Sequence, residues 1–204
     1  MHFALICSLA LLPSADEKKK PVYPEPGSDI PGTFHTWNVT GKKKGFFHSP
    51  VVQHGLNPVV MILIKGLDDN ANLVPFLKAI DTRVIHNRVT RLAAFVVFYK
   101  TPPEGENDEE TYKDLVKDDR AKEKNEVTIQ RIQNAAMLQE VILTLSTKSE
   151  IKKYLKEKDP AVTVVIYSNL ETVNVHSFTL KDNFKQDAII KDLEAKIGAS
   201  RTEE

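Results

Sequence analysis

Val59-Val60-Met61-Ile62-Leu63-Ile64-Lys65-Gly66 is the stretch from which the architecture follows, with Asn57-Pro58 ahead of it and Lys65-Gly66 as its stop. A strand with one wet face alternates apolar and polar residues. One that is apolar at every position, as Val59 to Ile64 is, belongs in the middle of a sheet covered on both sides. The sequence therefore predicts a layered α/β domain built outward from this strand.

Downstream, Leu67 to Asn72 is a polar turn, after which Leu73, Phe76, Leu77, Ile80 and Val84 recur at three- and four-residue spacing. That spacing predicts an amphipathic helix to about Asn87, with Pro75 in its first turn. Leu92 to Tyr99 is a second strand apolar on both faces, which completes a βαβ unit, and Thr101 to Asn107 is a surface loop rich in proline, glycine and acid. Asp108 to about Gln133 is charged, with sparse apolar positions, and reads as a partly exposed helix or two short ones. Val141 to Leu145 is a third strand and Ser149 to Lys156 a short helix. Val162 to Tyr167 and Thr172 to Phe178 flank the turn Ser168 to Glu171 as a β-hairpin. A closing helix follows over about Lys181 to Ile197, with Phe184, Ala188, Ile189 and Leu193 inward and Gly198 as its stop.

Upstream of the central strand, Phe34, Trp37 and Val39 lead through Gly41 and Lys42-Lys43-Lys44 to Gly45-Phe46-Phe47, which reads as a short hairpin. Residues 16–33 carry Lys18 to Lys20 and the prolines Pro21, Pro24, Pro26 and Pro31 with little that is apolar, so a flexible linker is expected. The first fifteen residues contain no Asp, Glu, Lys or Arg, and their apolar run Phe3 to Leu12 has signal-peptide length, too short to span a bilayer. The expected organisation is a signal peptide over 1–15, the linker, one domain over 34–198 and a tail over 199–204. The product would be exported, to the periplasm or beyond if the host is bacterial, with no integral membrane span after cleavage. Cys7 is the one cysteine and lies inside the cleaved run, so a disulfide framework is excluded. Lysine and arginine total 28 and balance 28 acidic residues. Net charge thus gives no reason to expect a nucleic-acid partner or adhesion to an anionic surface.

The order strand, helix, strand, helix, strand, short helix, hairpin, helix over Phe34 to Gly198 resembles the thioredoxin fold, and the N-terminal hairpin is reminiscent of its peroxiredoxin and thiol-reductase branches. The segment His48-Ser49-Pro50-Val51-Val52-Gln53-His54-Gly55-Leu56-Asn57-Pro58 is similar to a group of bacterial thioredoxin-like proteins. The resemblance implies a three-layer α/β/α sandwich with a mixed central sheet and an N-terminal β-hairpin extension. It also implies that a Cys-x-x-Cys motif belongs just after the first core strand, where a helix N-terminus stabilises a thiolate. Here that place reads Gly66-Leu67-Asp68-Asp69-Asn70-Ala71-Asn72 and holds no cysteine. Its aspartates and asparagines are expected to cap the helix instead. The family's cis-proline, which lies before the C-terminal hairpin, falls at Ala161 or Val162, with Pro160 slightly upstream, so a trans bond is expected there.

Other constellations favour structural roles. His35, His48 and His54 match no short zinc motif, and Asp68-Asp69 lacks the alternating ligands of a calcium loop. Ser49 has histidines near in sequence but no nucleophile-elbow frame, and His86 and His176 are isolated. Lys42 to Lys44 reads as a solvated turn, and Asn38-Val39-Thr40 as a chance sequon. The expected function is a non-catalytic thioredoxin-like module that binds a protein or peptide and needs no metal or cofactor. Its candidate vestigial groove comprises Leu67, Asp68, Asp69, Asn70, Ala71, Asn72, Ala161 and Val162. The alternatives are a peroxidase-like enzyme using Cys7 alone and an envelope-associated structural protein.

Overall fold

The computed structural model describes residues 23–67, 72–100, 119–156, 160–179 and 186–201. Among them, the all-apolar run becomes β3 (Val59–Lys65), buried at every position but Lys65. It pairs in parallel with β4 (Ala93–Lys100), which pairs in parallel with β5 (Ile142–Thr147). On its other side β3 pairs antiparallel with β6 (Val162–Ser168), which turns back into β7 (Glu171–Phe178). The expected N-terminal hairpin, β1 (Thr36–Asn38) and β2 (Phe47–His48), joins the far edge by antiparallel pairing of β1 with β5. The mixed sheet runs β2-β1-β5-β4-β3-β6-β7.

Alternation along β3 divides the core. Val60, Ile62 and Ile64 face a layer of three helices: α2 (Leu73–His86) through Phe76, Leu77 and Ile80, α3 (Asp119–Ala136) through Ile129 and Ile132, and α5 (Gln186–Arg201) through Ile189 and Leu193. Val59, Met61 and Leu63 face a thinner layer. It is made by Val51 of α1 (Pro50–His54), Ile151 of α4 (Lys148–Ile151), Tyr154 in the 3-10 turn that follows, and Phe34. This is a three-layer α/β/α sandwich, and each fully buried aliphatic side chain in it contributes roughly 1.5–3 kcal/mol through burial.

The structure departs from the sequence reading at several places. Residues 23–33, expected to belong to a flexible linker, lie along the β6–β7 hairpin. Gly27 N–H donates to Thr172 (2.8 Å), Thr172 N–H to Ser28 (2.7 Å) and Ile30 N–H to Leu170 (2.8 Å), and the Tyr154 hydroxyl donates to the Gly32 carbonyl. Composition misleads here because the segment is held by backbone pairing with an edge that would otherwise stay open, with Ile30 as its apolar anchor. The segment 50–54 forms α1, which periodicity could not register in five residues. Its cap is Ser49, whose hydroxyl accepts from Val52 N–H (3.4 Å), with Pro50 in the first turn. The closing helix runs through Gly198 to Arg201 instead of stopping at the glycine. A helical glycine costs only about 1 kcal/mol against alanine, and the capping signal does not prevail. Residues 101–118, including the Pro-rich loop and the start of the expected charged helix, lie outside the described residues, as do Phe184 and residues 1–22.

Candidate functional site

The end of the sheet where β3 and β4 finish and β6 begins gathers part of the expected groove. Ile64 lies opposite Val162, Lys65 N–H donates to the Ala161 carbonyl (2.9 Å), and Gly66 N–H donates to the Tyr99 carbonyl (2.7 Å). Gly66 turns the chain out of the sheet at φ +84°, a conformation that costs glycine nothing. The Tyr99 hydroxyl reaches the Pro160 carbonyl at 3.5 Å. Leu67 and Ala161 are half-buried and pack on the three-helix side of the core, leaving part of each exposed as a rim.

Val162 does not belong to that rim surface. Its side chain is fully buried, and its backbone lies in register with Ile64 on one side and Phe178 on the other. Asn72 stands at the start of α2 in helical conformation, and its side chain makes no capping hydrogen bond there, contrary to the expectation of an Asx cap. Asp68, Asp69, Asn70 and Ala71 lie outside the described residues. The described peptide bonds, Ala161–Val162 among them, are trans. Chemically, the described rim offers an apolar ledge, the exposed Lys65 and backbone groups at strand ends, with no thiol.

No family model and no curated protein sequence matches the chain. Solved structures do match. A yeast mitochondrial 1-Cys peroxiredoxin superposes with a TM-score of 0.55 at 10% identity, over 87% of this chain and 78% of that one. The peroxidoxin BcpB from Mycobacterium tuberculosis gives 0.54 at 13% identity, over 87% and 98%. A secreted M. tuberculosis disulfide oxidoreductase homologous to E. coli DsbE gives 0.51 at 9%, over 79% and 95%. The fold is thioredoxin-like. At these identities the likeness carries the fold alone, and the position after β3 holds no cysteine in this chain.

The remaining sequence candidates have structural partners. Ser49 is buried and spent on its cap. His54 stacks on Phe95 with ring centroids 6.1 Å apart and planes 10° apart; burial lowers its pKa, and the charge of His48 lowers it further. Among the described residues no three His, Cys, Asp or Glu side chains gather to hold a metal. His176 Nε2 lies 2.9 Å from Asp192 Oδ2, which ties β7 to α5. The sequon is inaccessible in the folded chain: Asn38 is buried and accepts from the Thr36 hydroxyl (3.2 Å), while Thr40 accepts from Leu143 N–H (2.8 Å).

The sequence reading missed Asp81. It sits buried on α2 and accepts three consecutive backbone N–H groups, from Gln139 (3.1 Å), Glu140 (2.9 Å) and Val141 (2.8 Å). An acid on the apolar side of a helix is the signal that could have found it. A cleft of about 320 Å³, lined by Lys42, Gln53, His54, Gln139 and Glu140, opens at the starts of β4 and β5, the opposite end of the sheet from the rim.

Proposed function

We propose that this chain is a non-catalytic thioredoxin-like module of an exported protein that holds an extended protein or peptide segment at the Leu67–Ala161 rim. The observation that carries this reading is the juxtaposition of the chain after β3 with the start of β6 in a fold whose Cys-x-x-Cys position is empty of cysteine. Redox partners in this fold meet an extended backbone at that place, and an apolar ledge beside the strand ends supports the same kind of contact without exchange chemistry. Export is supported by the apolar, uncharged first fifteen residues and by likeness to a secreted oxidoreductase. Two assays test the reading together. Insulin-disulfide reduction and peroxide consumption should stay at the blank rate, unchanged by Cys7→Ser. A photoreactive residue placed at Leu67 or Ala161 should crosslink to extended peptides, while one at the exposed Val89 should not. Activity that disappears with Cys7→Ser, or crosslinking no stronger at the rim than at Val89, contradicts it.

A further inference from the structure

The β1–β2 hairpin concentrates features that the balanced net charge conceals. Its residues 36–48 hold three lysines, Lys42, Lys43 and Lys44, and no acidic residue. All three lysines are exposed in the turn between Gly41 and Gly45. After Gly45, Phe46 is 68% exposed at the end of the turn and Phe47 is 44% exposed at the start of β2, the edge strand of the sheet. Phe47 packs its ring on Trp37, whereas Phe46 forfeits burial beside the basic turn, a combination that suits a partner accepting an apolar ring and cations together.

We infer that the β1–β2 hairpin docks on an anionic phospholipid surface, with Phe46 entering the headgroup boundary and Lys42 to Lys44 pairing with lipid phosphates. Each lysine near such a surface contributes a few-fold in affinity, so three multiply to roughly 100-fold at low salt, and an inserted ring adds to this. The hairpin is pre-formed for the purpose: Asn38 N–H donates to the Phe46 carbonyl (3.1 Å), Gly45 N–H to Asn38 (2.8 Å), and the Phe47 ring packs edge-on against Trp37, centroids 5.2 Å apart. Its ring geometry favours a bilayer over single-stranded nucleic acid. A stacking platform needs open aromatic faces, whereas Trp37 is covered by the Lys122 ammonium at 4.1 Å and engaged by Phe47, which leaves Phe46 as a projecting wedge. Of the acids beside the hairpin, Glu126 accepts from the Trp37 indole N–H (2.9 Å), and Glu140, which lines the same cleft as Lys42, pairs with Arg88 (2.6 Å).

Trp37 is the only tryptophan in the chain and reports on the hairpin directly. The full-length chain is mixed with vesicles of phosphatidylglycerol and phosphatidylcholine, or of phosphatidylcholine alone, containing brominated acyl chains, and Trp37 emission is followed. The inference expects quenching on the anionic vesicles that weakens about 100-fold in lipid concentration when Lys42, Lys43 and Lys44 are changed to Gln. Phe46→Ser should weaken it several-fold, and 0.5 M salt should largely abolish it. Circular dichroism confirms that these solvent-facing variants stay folded. Quenching that is absent, equal on both vesicle types, or unaffected by the lysine changes overturns the inference. So does tighter binding to a single-stranded oligonucleotide that the same variants lose.

Discussion

At the residue scale, one buried polar group, Asp81, and one half-buried, His54, dictate the clearest consequences. The Asp81 carboxylate satisfies three backbone N–H groups at the entrance to β5, so removing it leaves the buried Val141 donor without an acceptor and the part-buried Gln139 and Glu140 donors to water. Charge-assisted hydrogen bonds of this kind are individually worth about 1.5–3 kcal/mol. Asp81→Ala is expected to cost about 3–5 kcal/mol in urea denaturation, with Asp81→Asn intermediate, because a neutral amide oxygen accepts fewer and weaker bonds. His54 makes stability depend on pH. Its pKa is lowered in the folded state, first by burial and then by His48, so the unfolded chain takes up its proton before the folded one does. This contribution is therefore present above the unfolded value of 6.5 and is lost as pH falls below it, at no more than about 1.4 kcal/mol per pH unit. Replacing His54 with Phe, which keeps a ring against Phe95, should flatten the fall in melting temperature between pH 7 and 5; an unchanged slope refutes the assignment.

At the element scale, the β6–β7 hairpin is informative about both strain and legibility. Its two-residue turn has Asn169 at φ +55° and Leu170 at φ +63°, the left-handed pair that matches the twist of antiparallel strands. Asparagine tolerates this conformation and leucine does not, at roughly 1 kcal/mol. Leu170→Gly should therefore raise stability by about 1 kcal/mol or slightly less in chemical denaturation, even though it removes a side chain. Val173 follows as a bulge, because Tyr167 opposes Thr172 while Ile166 opposes Asn174. The second strand of this hairpin was readable from alternation, and β3 and β4 from unbroken apolar runs, because burial on one or two faces writes itself into composition. The bulge and α1 were not readable, since a one-residue offset and a five-residue helix leave no period. The same holds for residues 23–33, which are fixed largely by backbone hydrogen bonds that do not depend on the identity of their own side chains.

At the scale of the whole molecule, the layered α/β class was legible because Val59 to Ile64 could be satisfied only as a covered strand with helices on its faces, whereas the order of strands in the sheet comes from the structure. The structure sets the Ala161 carbonyl on Lys65 N–H, at the strand end that leads to Leu67; the sequence offered these positions as a candidate site only through resemblance. It could not reveal that Val162 is sealed in the core, because its burial is set by Ile64 and Phe178 across two strand pairings that no local pattern encodes. The central claim is that a thioredoxin-like end without a nucleophile is retained for binding. Amide NMR of the labelled chain, titrated with a degenerate library of extended dodecapeptides, tests it most directly. The account predicts saturable shifts concentrated at Lys65 to Leu67 and at Ala161 to Thr163, attenuated by Ala161→Asp. Shifts that are absent from this end of the sheet, or that cluster in the Lys42–His54 cleft at the opposite end, would contradict it.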